Sequence, residues 1–598
     1  MGKVQGSMNL TADVPRQTAD RKEKLALLAL PFWVYVLGVL ALPLAILALY
    51  SFWEAGFFTV TRNITAANYA EVLGSPLYLT LIAKSLAVGA IAAACMTVLA
   101  FVLAYAITFR LGRFGKPVLF AIALSLLASY IVRVYAWGTI LGTNGIVNST
   151  LMSLHIVDKP IGFLFYGYFA IVVTLVYVYL PIATLVIYGG LQDIDPRIVE
   201  AAQDLGAGRV RRMLQITVPL AMPAMKAAFA LTFVLATTDY ITPQLVGGIS
   251  GQMVGSVIKD QFGGAANLPL GAALAFVAVG SVFVALGCFG LLQKGVAAMI
   301  PATASRFRHL MAGARGIPNG KNLLTGTRTS LFRRFPIVQI ASVLILIFLA
   351  APLLVLIAFS FNSSPVPSLP FTGFTGHWYA SIIQTTGFDA ALGNSLILMG
   401  ASVVGGLALG VPTAFVLVRS RRRRLTSAAL TPAVYAPVAV PGVMIGIALL
   451  TAAAFLNLEV GLAASALAHI LIATPYIVLV LRSRLLSMDI RIEEAARDLG
   501  ASQLKVFFDM TLTLLKPSLI AAALLAAAVS LDELLVTNFT IGTGTTLPVW
   551  VLGQIRRGLT PGINALAVML LVASLLIIGG VAVLLRGSLV NALRGSKR

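Results

Sequence analysis

Apolar runs of about twenty residues or more recur along the whole chain, near 29–52, 79–109, 117–142, 163–190, 214–238 and 270–295, then near 335–360, 393–418, 427–456, 461–487, 511–536 and 564–587. Wound as an α-helix, which rises about 1.5 Å per residue, each run is long enough to cross ~30 Å of hydrocarbon. Inside a bilayer a backbone amide has no water to bond, so only segments that satisfy their own backbone can span it. Twelve such runs predict an all-α polytopic membrane protein of about twelve transmembrane helices. Composition agrees: 59% of the 598 residues are apolar and 11% charged, the latter about half the charged share of an average soluble domain. Mean hydropathy is +0.95. A soluble globular enzyme does not fit these values.

The formal charge of +22 would suggest nucleic-acid binding in a soluble chain. Here most Lys and Arg sit in short gaps between apolar runs, where a membrane protein keeps them facing the cytoplasm, so no nucleic-acid partner is predicted. Arg110, Arg113 and Lys116, the run Arg421 to Arg424, and Arg306, Arg308, Arg315, Arg333 and Arg334 fall inside if both termini are cytoplasmic; Arg62, Lys159, Lys259, Arg556 and Arg557 fall outside. This asymmetry predicts a multi-pass membrane protein with both ends in the cytoplasm. The first run is too long for a signal-peptide core and reads as an uncleaved span. Cys95 and Cys288 lie in separate apolar runs, which offers neither a disulfide framework nor a metal cluster. The organisation read from composition is a tail at 1–28, a first repeat at 29–300, a polar basic linker at 301–335, a second repeat at 336–590 and a tail at 591–598.

The halves repeat each other. Asp195-Pro-Arg-Ile-Val-Glu200-Ala201-Ala202-Gln-Asp204-Leu-Gly206-Ala207 and Asp489-Ile-Arg-Ile-Glu-Glu494-Ala495-Ala496-Arg-Asp498-Leu-Gly500-Ala501 agree at ten of thirteen positions with a constant offset of 294, which continues through Thr217 and Thr511, Leu220 and Leu514, and Pro223 and Pro517. An internal duplication in direct orientation is the simplest cause. Each copy encodes a short helix: Asp195 or Asp489 caps the first amides, Pro196 suits the first turn, and Gly206 or Gly500 takes the left-handed conformation that ends it. Ile198, Ala201, Ala202 and Leu205 fall on one stripe, with small residues that permit close approach by another surface. Arg197, Glu200, Asp204 and Arg209 flank it and can set orientation against a partner.

Glu-Ala-Ala, three residues and Gly, followed about ten residues later by a Leu- and Pro-containing segment, resembles the coupling motif of permease subunits of binding-protein-dependent ABC importers of the type I fold. Tyr130-Ile-Val-Arg133-Val-Tyr135-Ala-Trp137, Thr143 to Asn148 and Asp239-Tyr240 to Gly248 are similar to one permease of spermidine/putrescine importers; Ser360 to Ser363, Asn394 to Leu396, Pro437 to Gly442, Thr474 to Tyr476 and Ser530 to Phe539 are similar to its partner. The departure is covalent, since such permeases are usually separate chains and Pro301 to Phe335 joins them here. The resemblance implies that Glu200, Ala201, Ala202, Asp204 and Gly206, with Glu494, Ala495, Ala496, Asp498 and Gly500, form two coupling helices seated on two copies of a cytoplasmic ATPase. It also implies a periplasmic substrate-binding protein, for which the outside segments leave no domain of this chain's own. Gly320-Lys321-Asn322 lacks the spacing and the hydroxyl of a phosphate loop, so the chain is expected to bind no cofactor itself, with ATP and magnesium used by the partner.

Ionisable side chains inside spans cost typically ~2.5–3.5 kcal/mol on insertion scales and are candidates for function. Arg133, Asp239, Asp532 and Glu533 stand out, and Asp239 and Glu533 coincide under the 294 offset. A polycation would need carboxylates facing a wet lumen, with Tyr130, Tyr135, Trp137 and Tyr240 offering aromatic faces to ammonium groups. Alternatively, Asp239 pairs with Arg133, or the acids mark the outer ends of their spans. The function expected is uptake of a small solute, a polyamine or related organic cation; another solute of the same importer class and a six-plus-six secondary transporter driven by an ion gradient are the alternatives. The duplicated Glu-Ala-Ala segments separate the last of these, because such a carrier has no ATPase to dock.

Overall fold

The computed structural model describes residues 27–299 and 336–576, apart from 57–58, 127, 367–368, 370, 420–424, 503–504 and 559–560. The expected linker at 301–335, the tail at 591–598, nearly all of the tail at 1–28 and the run Arg421 to Arg424 lie outside the described residues. In the first repeat the principal helices are α1 (Leu30–Tyr50), α2 (Pro76–Phe109), α3 (Gly115–Ser125), α4 (Tyr130–Leu141), α5 (Tyr168–Gln192), α6 (Pro196–Asp204), α7 (Val210–Thr237) and α8 (Leu268–Leu291). In the second they are α9 (Ile337–Ser360), α10 (Phe388–Arg419), α11 (Leu425–Ala439), α12 (Gly442–Phe455), α13 (Leu462–Ser487), α14 (Ile490–Asp498), α15 (Val506–Asp532) and α16 (Pro561–Leu576). The sheet among the described residues is one ladder, Glu54–Ala55 against Val60–Thr61.

Nine of these helices are long and apolar enough to cross a bilayer unaided. Two of the three other expected spans depart from single straight helices. The run at 117–142 is divided between α3, which ends at Ser125, and α4, which begins at Tyr130, and the run at 427–456 bends by 95° between Ala439 and Gly442. Pro441 explains the second break: it has no N–H to give, and its ring disfavours a helical conformation at Val440. The last run is described only as far as Leu576, helical throughout α16.

Repeat and compact unit are different divisions of this chain. One unit gathers the described residues of Met1–Tyr50, Ile383–Gln554 and Ala573–Arg598, the other those of Ser51–Ile382 and Ile555–Val572. The first span of each repeat therefore packs with helices of the other. In the former unit Phe32, Val36 and Leu40 of α1 share one apolar cluster with Leu417, Ile445, Leu471, Ile477 and Leu515, and the Tyr35 hydroxyl donates to the Leu467 carbonyl at 2.5 Å. In the latter, Phe348 of α9 meets the rings of Trp137 and Tyr177 at centroid distances of 5.3 and 5.9 Å.

Close packing within the first of these units rests on glycine. A Cβ on Gly406 would lie 2.6 Å from Ile477 Cδ1 and one on Gly410 2.6 Å from Ile477 Cγ2, so α10 meets α13 through a Gly-x-x-x-Gly face with Ile477 filling the groove. In lipid there is no hydrophobic force between helices, and backbone approach of this kind supplies the dispersion contact instead. Replacing Gly410 by Val should overpack the groove and destabilise the protein by ~1–3 kcal/mol. Thermal unfolding in detergent should show a lower midpoint for Gly410→Val, largely restored by adding Ile477→Ala; an unchanged midpoint for the single variant would refute this packing.

Candidate functional site

The duplicated segments fold as α6 and α14, and the two are built alike at both ends. Asp195 accepts the Arg197 N–H at 3.0 Å and Asp489 accepts the Arg491 N–H at 3.0 Å, which satisfies an amide that the first helical turn leaves free. At the other end Gly206 has φ +80° and Gly500 φ +87°. This left-handed residue lets Ala207 N–H reach the Ala202 carbonyl at 3.0 Å and Ala501 N–H the Ala496 carbonyl at 3.1 Å, the six-to-one bond of a Schellman ending. Each helix then leads into a long span through a wide turn: Val218 N–H bonds Met213 O in one repeat and Leu512 N–H bonds Phe507 O in the other. These residues are again 294 apart.

The faces differ from the stripe expected from spacing. Val199 and Ala202 turn inward and are buried, whereas Ala201 is exposed and Leu205 is 84% exposed. Val199, at a position the stripe omitted, supplies the inward anchor, and one turn of helix cannot face both ways. Arg197, Glu200 and Asp204 lie on the exposed side with Ala201. In the second copy Ala495 and Asp498 are exposed, Glu494 and Ala496 are half-buried, and Leu499 is 89% exposed. The inward position equivalent to Val199 is Glu493, whose carboxylate meets Arg419 at 2.9 Å.

The ionisable residues of the spans are placed as follows. Asp239 follows the end of α7 and is 2% exposed. Its Oδ2 accepts from the Tyr130 hydroxyl at 2.6 Å and the Thr242 hydroxyl at 2.6 Å; its Oδ1 accepts from the Ile241 and Thr242 amides at 2.9 and 3.3 Å. It thus caps the helical turn that restarts the chain after α7. Arg133, one turn beyond Tyr130 on α4, is also buried and donates from Nη1 to the Val178 carbonyl at 2.9 Å. Glu533 follows the end of α15 in the same way, and its Oε1 accepts the Val536 amide at 2.9 Å. Asp532 beside it is partly exposed. The aromatic candidates are enclosed: every residue of α4 is buried, Tyr135 is 1% and Tyr240 0% exposed, and Trp137 packs edge-on to Tyr177 at 5.7 Å.

Spacing missed one polar centre. His469 of α13, 2% exposed, has Nδ1 2.7 Å from the Ser530 hydroxyl and Nε2 2.8 Å from the Thr537 hydroxyl. Thr537 donates its proton to the Glu533 carbonyl at 2.8 Å, so it accepts from Nε2–H. The imidazole joins the two sides of the Asp532-Glu533 turn. A lone histidine seven residues into an apolar run was the available signal, since ionisable groups within spans are rare.

The family described as binding-protein-dependent transport system inner membrane component matches residues 86–297 and again residues 406–589. The putrescine transport system permease protein PotI of Escherichia coli (strain K12) is 39% identical over 231 residues, which cover 38% of this chain and 82% of that protein. The spermidine/putrescine transport system permease protein PotB of Haemophilus influenzae is 31% identical over 215 residues, 35% of this chain and 73% of that protein. A solved bacterial ABC transporter involved in the import of the acidic polysaccharide alginate aligns with a TM-score of 0.39 and 16% identity over 48% of this chain and 98% of that one. Matched once in each repeat and over more than half its length, the chain belongs to the binding-protein-dependent transport system inner membrane components.

Proposed function

We propose that this permease forms the translocation pathway of an ATP-driven importer, with α6 and α14 each docked on one copy of a separate cytoplasmic ATPase. The observation that carries this reading is the pair Leu205 and Leu499, 84% and 89% exposed at equivalent places on two helices capped at both ends. An aliphatic side chain held almost wholly in water at the same point of both repeats, beside an exposed alanine, is surface for a partner to cover. In this reading ATP and magnesium belong to the ATPase, a periplasmic binding protein delivers the solute, and both termini of this chain lie in the cytoplasm, as the placement of Lys and Arg favours.

The cargo we infer is a polyamine or related organic cation. Relatives named for putrescine and spermidine support it, and so does the partly exposed Asp532 in a segment otherwise poor in charge. An ammonium leaving water needs a carboxylate to offset several kcal/mol of lost hydration. Asp239 is buried and accepts two backbone amides, and Glu533 accepts another; Asp532, partly exposed, is the acid we assign to a passing cation.

Burying a leucine on docking contributes ~1.5–3 kcal/mol, and every ~1.4 kcal/mol is tenfold in affinity. Leu205→Asp and Leu499→Asp should therefore each lower binding-protein-stimulated ATP hydrolysis by at least about tenfold while membrane levels persist; wild-type hydrolysis in both would sink the docking assignment. For the cargo, uptake of labelled putrescine by Asp532→Asn should fall severely at unchanged expression, and full uptake would remove the polyamine reading. Asp239→Asn should act differently. The amide cannot accept all four present bonds, so this variant should lose ~1–3 kcal/mol of stability, seen as a lower unfolding midpoint in detergent.

A further inference from the structure

The two coupling helices are joined to their spans by different chemistry. Arg419 is the last residue of α10, and its Nη2 lies 2.9 Å from Glu493 Oε1, with the two side chains 10% and 8% exposed. The Glu493 carbonyl accepts from Arg497 Nε at 2.9 Å, so both ends of this residue are held. Arg419 Nε has no hydrogen-bond partner among the described residues, which leaves the carboxylate as the partner the structure gives this guanidinium. In the first repeat the equivalent position is Val199, 5% exposed, which can only pack. Arg212 is bonded to Gln203 there, which joins α6 to the segment that follows it.

We propose that Arg419 and Glu493 form an ionic lock that makes α14 move with the inner end of α10, so that the two repeats pass the ATPase stroke on through unequal joints. The proposal rests on the docking role of α14. A desolvated ion pair resists both separation and sliding, because either leaves a charge buried without its partner. An apolar contact such as that of Val199 resists separation but tolerates a shift along the helix. Glu493 and Arg419 are thus positioning residues, neither of them on the exposed docking face nor beside Asp532.

The test uses the full importer in membrane vesicles, reading putrescine uptake and ATP hydrolysed by the same preparation. Glu493→Gln should lower uptake at least tenfold and raise the ATP used per solute at least fivefold. Breaking one partner also threatens folding, so the double variant Arg419→Met with Glu493→Val, which copies the apolar chemistry of the first repeat, is the decisive one. It should reach the membrane at normal levels and still waste ATP, whereas the exchange Arg419→Glu with Glu493→Arg should return the ATP-to-solute ratio to within threefold of wild type. A wild-type ratio in the apolar double variant overturns the lock, as does an exchange variant that behaves like Glu493→Gln. Leu499→Asp separates the two readings: if it abolishes stimulation while the apolar double variant is silent, only the lock fails, and if it is itself silent, the docking role and the lock fall together.

Discussion

A backbone amide released where a helix stops at membrane depth finds no water, and leaving it unpaired costs several kcal/mol. Much of the polar chemistry in this permease answers that need. α7 ends at Thr237 and α15 at Asp532, and the chain turns sharply after each. Asp239 collects the amides of Ile241 and Thr242 after the first, and Glu533 that of Val536 after the second. Around these caps stand the hydroxyls of Tyr130 and Thr242 in one repeat and the chain from Ser530 through His469 to Thr537 in the other. The carboxylates of Asp239 and Glu533 are thus explained by the backbone before any solute is considered.

Duplication kept what the backbone requires and let the packing diverge. Both duplicated segments retain the aspartate cap, the glycine with positive φ and the wide turn into the following span, because each of these satisfies a local hydrogen-bond or steric demand. Between them the inward residue changed from Val199 to Glu493, and with it the joint changed from apolar contact to an ion pair. Equally exposed leucines, Leu205 and Leu499, are therefore mounted on unequal supports.

The exchange of first spans gives the fusion of the two repeats a structural meaning. α1 belongs to the apolar cluster of α10, α12, α13 and α15, and α9 packs against Trp137 and Tyr177 of α4 and α5. Neither repeat alone holds every helix of a compact unit. The covalent connection keeps the donors of these spans at a high effective concentration for one another, a gain that separate permease chains must obtain by association.

Hydropathy, charge placement and the 294-residue offset determined the membrane class, the span positions, the direct repeat and the capped helices with Asp195, Gly206, Asp489 and Gly500. All of these are local properties, set by what a segment does with its own amides and with lipid. The break between α3 and α4 and the one at Pro441 were only partly legible, since proline marks the second and nothing comparable marks the first. Tertiary structure alone decided that Tyr130 reaches Asp239 across 109 residues, that Arg419 reaches Glu493 across 74, that Ala202 and not Ala201 faces inward, and that first spans pack with the other repeat. In water an apolar stripe tells which face of a helix is buried; in hydrocarbon every face is apolar, so the stripe loses its meaning and the choice of neighbour passes to shape, glycine grooves and a few buried polar groups.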